Sequence, residues 1–116
     1  MITVRLQRTR SGFLQRITAS GHAGYAGADM DDIVCSAVSA ILQTAVGGLQ
    51  DVAGLDPEYA LDDGRIVCGV SDPETLDPSA RETARVILET AAVGCRQIED
   101  SYGSRYVTVR ETAYIE

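Results

Sequence analysis

The stretch FLQRITASGHAGYAGADMDDIVCSAVSAILQTAVGGLQDV, residues 13–52, changes its periodicity half-way along, and that change decides the fold. Phe13 to Ser20 reads as a strand. It runs directly into Gly21-His22-Ala23-Gly24-Tyr25-Ala26-Gly27-Ala28, which is too rich in glycine to continue a ladder and marks a loop at a strand end. From Ile33 the apolar residues Val34, Ala37, Val38, Ile41, Ala45, Leu49 and Val52 recur at helical spacing, until Gly54 and Pro57 stop the run. The spacing predicts a first helix from Ile33 to Val52.

Toward the N-terminus, Ile2, Val4 and Leu6 alternate with Thr3, Arg5 and Gln7, the period of a half-buried strand, and Ser11-Gly12 is its turn. Toward the C-terminus, Tyr59-Ala60-Leu61 and Ile66 to Val70 flank Asp62-Asp63-Gly64-Arg65, a strong hairpin signal. Asp72-Pro73 and Asp77-Pro78 are turn chemistry, and Ser79-x-x-Glu82 reads as a capping box opening a second helix with a stripe of Ala84, Leu88, Ala91, Cys95, Ile98 and Tyr102. Gly103 ends it, and Tyr106 to Tyr114 reads as a final strand. Because hairpins supply most of the pairings, this order predicts an α+β fold in two layers: a mainly antiparallel sheet with two helices on one face. At 116 residues the chain is expected to be one domain, 1–116.

The hydrophobic share is 45%, with no Trp and one Phe, so Ala, Val, Ile and Leu must build the core. Seventeen acidic against ten basic residues leave a net charge of -7, which repels phosphate backbones and anionic lipid head groups; neither nucleic acid nor membrane is expected as a direct partner. The same field attracts a cationic peptide. The strand-like, Arg-containing start lacks the apolar stretch of a signal peptide, and no apolar run approaches transmembrane length. Cys35, Cys68 and Cys95 are odd in number and lack paired spacing, which argues against a disulfide framework or a zinc knuckle. A reducing cytoplasmic location is expected.

The chemistry concentrates between Gly21 and Ser39. With Asp32 as N-cap, Cys35 falls in the first helical turn, where unpaired N–H groups and the helix dipole favour the nucleophilic thiolate. On a helical wheel Cys35 flanks the apolar stripe, between it and Ser36, Ser39 and Gln43. Buried inertness is the plainer reading of a cysteine, and it fits Cys68, on a strand face, and Cys95, within a helical stripe. His22 is the only histidine and stands in the glycine loop, from which the chain can fold back toward Cys35 as a base for that thiol. One His and one Cys supply too few ligands for a metal unless Asp29, Asp31 and Asp32 join, and hard carboxylates suit thiolate-preferring ions poorly, so no metal is expected. No Lys follows the glycines, and their spacing matches no phosphate-binding fingerprint, so no cofactor is expected either.

Gly21-His22-Ala23-Gly24-Tyr25-Ala26, followed by Asp32-Ile33-Val34-Cys35-Ser36-Ala37-Val38-Ser39, resembles the two linked signatures of the ribosomal-processing cysteine protease (Prp) family. The resemblance implies a homodimeric cysteine endopeptidase in which His22 and Cys35 are the catalytic pair. It further implies removal of a short N-terminal extension from a basic ribosomal protein, the twenty-seventh of the large subunit, by cleavage after an aromatic residue. Ser36 stands where that family often has alanine, and Asp29 and Asp31 add an acidic pair to the loop. Gly21, Gly24, Asp32 and Ser39 are supporting or substrate-binding candidates: Asp32 either orients His22 or only caps the helix, and Ser39 either lines the pocket or faces solvent. N–H groups at the helix start are the expected oxyanion donors, and Ala23 to Asp31 is expected to close over substrate as a gate. The alternative is a non-enzymatic ribosome-assembly or peptide-binding module using the same loop and acidic surface.

Overall fold

The protein, seen as a computed structural model, is described here over residues 1–24 and 32–112. The two N-terminal strands, β1 (Ile2–Arg8) and β2 (Leu14–Ser20), form the expected hairpin. Helix α1 (Ile33–Asp51) follows, then the hairpin of β3 (Glu58–Asp62) and β4 (Arg65–Gly69), a short 3-10 turn over Pro73–Thr75, helix α2 (Pro78–Tyr102) and β5 (Val107–Glu111). The sheet order is β3-β4-β2-β1-β5, antiparallel except where β5 lies parallel to β1. No turn signal announces that parallel pair, because its strands come from opposite ends of the chain. The last strand is shorter than Tyr106 to Tyr114, and residues 113–116 lie outside the described residues, as do 25–31 of the expected gate.

Strand alternation divides the sheet cleanly. Ile2, Val4, Leu6, Ile17, Ala19, Cys68 and Val107 are buried beneath the helices, while Thr3, Arg5, Gln7, Arg16, Thr18 and Ser20 stand on the opposite face. From α1 the buried stripe is Val34, Val38, Leu42, Ala45, Val46 and Leu49. Leu42 and Val46 thus join the expected stripe, of which Ala37 is only half-buried, Ile41 packs half-buried against the core and Val52 is exposed. α2 contributes Ala84, Leu88, Ala91, Ala92 and Cys95. Burial pushes the Cys68 thiol up to about 12 and the Cys95 thiol up to about 11, so both stay protonated in the core. Arg8 ties three elements together by pairing with Glu89 of α2 at 2.7 Å and Glu111 of β5 at 3.1 Å.

Two expectations need correction. The cap of α2 is Asp77, whose carboxylate accepts from Ser79 and Ala80 N–H ahead of Pro78 in the first turn, so Ser79 does not open a capping box; Glu82 pairs with Arg85 instead. And α1, at 19 residues with mean hydropathy 1.5, is long and apolar enough by length and composition alone to cross a membrane. Its one charged residue, Asp51, is its last, and its buried stripe is that of a core helix packed on a sheet.

Candidate active site

At the end of β2 the backbone turns through Gly21, whose φ of +98 places it in the region that favours glycine. A Cβ there would run into the Met1 carbonyl, so glycine is required on two counts. Gly21 N–H donates to the Gly64 carbonyl at 2.9 Å, carrying the contact between β2 and the β3–β4 hairpin one residue past the strands. The Met1 nitrogen donates to the His22 carbonyl oxygen. These bonds hold the start of the glycine loop beside the hairpin turn.

Across from it, Asp32 caps α1: its Oδ1 accepts from Val34 N at 2.9 Å and Cys35 N at 3.2 Å. Cys35 is half-buried against the core, and its Sγ accepts from the Ala23 N–H at 3.2 Å. The loop after β2 and the first turn of α1, separate signals in the sequence, therefore meet at the sulfur. His22 and Cys35 line one groove of about 260 Å³, with Ser36 and Ser39 beside Cys35, Ile2, Ala19, Val38 and Ile66 as an apolar floor, and Asp62, Asp63, Gly64 and Arg65 as the opposite wall. The His22 ring is largely exposed and lies over Gly64, with Nε2 3.8 Å from Asp63 Oδ1.

Of the supporting candidates, Gly21 and Ser39 line the groove, and the Ser39 hydroxyl accepts from Gln43 Nε2 at 2.6 Å. Asp32 caps the helix. Gly24 is exposed and not part of the groove. The wall of Asp62 to Arg65 is what sequence reasoning missed as a functional element: Asp-Asp-Gly reads as a hairpin turn, and only the pairing of β2 with β4 carries it to His22. Among the described residues no three His, Cys, Asp or Glu side chains converge as a metal would need.

The electrostatics differ from the helix-start expectation. Burial pushes the Cys35 thiol above its ordinary value; the nearby Asp32 carboxylate adds to the rise, and the Ala23 N–H opposes it. Beside burial, the cap removes what a helix start would otherwise offer. Asp32 occupies the N–H groups of Val34 and Cys35, and Ser36 N–H donates to the Asp32 carbonyl at 2.9 Å, so these donors are not free for a thiolate or an oxyanion. The donor aimed at the sulfur is Ala23 N–H.

A family model described as cysteine protease Prp matches residues 1–108. The chain belongs to the cysteine protease Prp family. It is a cysteine protease, and its mixed five-stranded sheet with two helices is the Prp fold. It is 29% identical over 102 residues to the ribosomal processing cysteine protease Prp of Bacillus subtilis (strain 168), covering 88% of this chain and 90% of that protein. Among solved structures it is similar to the essential ribosomal processing protease Prp from S. aureus in complex with a covalently linked product peptide, at a TM-score of 0.80 and 26% identity over 97% of this chain and 100% of that one. A second structure of the S. aureus protease, with a substrate peptide, shares the fold at a TM-score of 0.77 and 24% identity, with 97% and 100% covered.

Proposed function

We propose that this chain is a cytoplasmic, Cys/His endopeptidase that removes the N-terminal extension of the twenty-seventh large-subunit ribosomal protein, with Cys35 as nucleophile and His22 as acid and base. The observation that carries the reading is the meeting of His22 and Cys35 in one groove, with the Ala23 N–H on the sulfur. The relatives named for ribosomal processing support a ribosomal protein as substrate. Asp62 and Asp63 on the groove wall suit the approach of a basic chain, and the apolar floor suits an aromatic side chain.

Because burial holds Cys35 as a thiol, His22 first takes its proton. Sγ then bonds to the scissile carbonyl carbon. The C–N bond breaks as the leaving amine takes the proton from His22, leaving a thioester on Cys35. His22 next removes a proton from water, the hydroxide attacks the thioester carbonyl, and the departing sulfur is reprotonated. Ala23 N–H steadies the sulfur while it is charged.

Association as a homodimer is part of the same reading. The open sheet face carries arginines and would repel its copy, whereas exposed Val86 and Val93 flank an apolar groove between α1 and α2 that a second copy would cover.

The test is turnover of a fluorogenic peptide reproducing that extension. Cys35→Ala and His22→Ala each lower it by about a thousandfold or more while retaining the native circular dichroism spectrum. Near-normal turnover by either folded variant overturns the assignment.

A further inference from the structure

The sheet ends in β3 on one side and β5 on the other, and the two edges are treated differently. On β5 the Val107 N–H donates to the Gly103 carbonyl at 3.2 Å and the Val109 N–H to Glu99 Oε2 at 2.8 Å, so α2 and the turn after it take up donors of that edge. An uncovered edge is a template for a further strand, and covering it is a usual protection. Among the described residues nothing does this for β3.

The pairing fixes which groups β3 leaves free. The Gly64 carbonyl accepts from Gly21 N–H at 2.9 Å and the Val70 N–H donates to the Gln15 carbonyl at 3.0 Å. Residues of even number along β4 therefore bond to β2, and Arg65, Val67 and Gly69 bond to their β3 partners Asp62, Ala60 and Glu58. By the same alternation Tyr59 and Leu61 aim their N–H and C=O groups away from the sheet. Their side chains stand on the helix side, across from Cys68 and Ile66. Neither helix covers them, since α1 packs on β4 and α2 on β2 and β5, and they are 50% and 47% exposed. The same two residues thus offer an unpaired backbone and an uncovered apolar shelf.

That shelf is continuous with the active groove: Ile66, the partner of Leu61, belongs to the groove floor, and Asp62, the next residue, to its wall. Free backbone groups beside apolar side chains fit an extended peptide, every second residue of which bonds to the edge. Its side chains would fall alternately on Tyr59 and Leu61 and, on the other face, toward Glu58 and Asp62, which suits a chain that is apolar and basic by turns. A second copy of β3, paired two-fold about Ala60, would instead set Glu58 of one protomer against Asp62 of its partner, like charges directly opposed. An added strand lies about 10 Å from β4, two strand spacings away. About three extended residues carry a chain from there across Ile66 toward Cys35.

We propose that the outer edge of β3 takes up the substrate as a sixth strand, about three or more residues from the scissile bond, through the backbone of Tyr59 and Leu61 and their side chains. This rests on the peptidase reading of the groove and adds where the substrate is held beyond it. The edge serves binding and takes no part in the chemistry at Cys35.

The experiment is a scan of the fluorogenic peptide in which one backbone nitrogen at a time is methylated, turned over by the wild-type chain. Away from the scissile bond, methylation raises KM about fivefold at every second position and leaves the positions between them unchanged, with kcat held throughout. Tyr59→Ser/Leu61→Ser raises KM for the full peptide about tenfold and leaves kcat/KM for a peptide trimmed to the residues next to the scissile bond at the wild-type value. Val52→Ser, which removes an exposed apolar side chain remote from the groove, leaves both unchanged. With wild-type turnover intact and lost in Cys35→Ala, the peptidase reading stands by itself. A remote methylation pattern that is flat or without alternation then overturns the edge strand alone, as does a double variant that keeps its KM. So does a double variant whose only change is from dimer to monomer by light scattering, which would assign the edge to a second copy. No turnover of any of these peptides by the wild type overturns the peptidase reading and the edge strand with it.

Discussion

Asp32→Asn and Asp32→Ala separate two jobs done by one carboxylate. Its Oδ1 accepts from Val34 and Cys35 N–H, and its negative charge adds to burial in holding the Cys35 thiol above its ordinary value. Asparagine keeps an acceptor and removes the charge, whereas alanine removes both. Replacing an N-cap by alanine costs about 1 kcal/mol, whereas Asn caps as well as Asp. In a chain of this size 1 kcal/mol moves Tm by about 4 °C, so Asp32→Ala melts about that much lower and Asp32→Asn close to wild type. The thiol responds differently, since both variants lose the charge that opposes ionisation. Cys35 is an acid whose pKa is raised in the folded protein, so removing that charge lowers it, and alkylation at neutral pH becomes faster in both variants. Thermal unfolding by circular dichroism reads the first effect. The pH profile of iodoacetamide modification at Cys35, followed by mass spectrometry on native protein, reads the second and should shift to lower pH. An Asp32→Ala melt superimposable on wild type would refute the cap argument, and an Asp32→Asn alkylation profile that stays put or moves to higher pH would refute the electrostatic one.

Two further outcomes follow from the core and the groove. Stability should be lost on the alkaline side: an unfolded thiol ionises near 9.0, whereas Cys68 and Cys95 are held at about 12 and about 11. Their contribution is whole below the unfolded value and falls as pH rises from there toward the folded values, by about 1.4 kcal/mol per pH unit for each thiol. Urea titrations across that window should show a flatter decline in Cys68→Ala and Cys95→Ala, which also start lower because of the cavity each leaves; a decline as steep as wild type would contradict this origin. At the groove wall, Gly64→Ala strains a φ of +76 and brings its Cβ within 3.1 Å of His22 Nε2, so kcat/KM drops along with stability. Gly54→Ala strains a similar φ of +68 with nothing within 4 Å, and should lose stability alone; equal losses of kcat/KM in the two variants would show that the His22 contact is irrelevant.

Local chemistry made most of the elements legible from the sequence. The alternation of Ile2, Val4 and Leu6, the Asp63-Gly64 turn and the apolar spacing after Ile33 each act over a few residues, and each produced its strand, hairpin or helix. Asp32 was readable as a cap because capping needs only the N–H groups two and three residues further on. His22 and Cys35 stood out as the lone histidine and the helix-start thiol, and the Gly-His-Ala and Asp-Ile-Val-Cys signatures pointed to the Prp family before any geometry was known. What depends on distant parts of the chain was not legible. Neither the parallel seat of β5 against β1 nor the arrival of Asp62 to Arg65 at the active groove has a local signature, because both follow from long-range strand pairing. The state of the Cys35 thiol was decided there as well. A helix start taken alone favours a thiolate, but packing half-buries this sulfur, the cap occupies the nearest N–H groups, and Ala23, twelve residues away, supplies the donor that reaches it. Residue identity set which groups are present and how they fold locally; desolvation and the sharing of donors depend on what surrounds a group in space, and only the tertiary structure decided those.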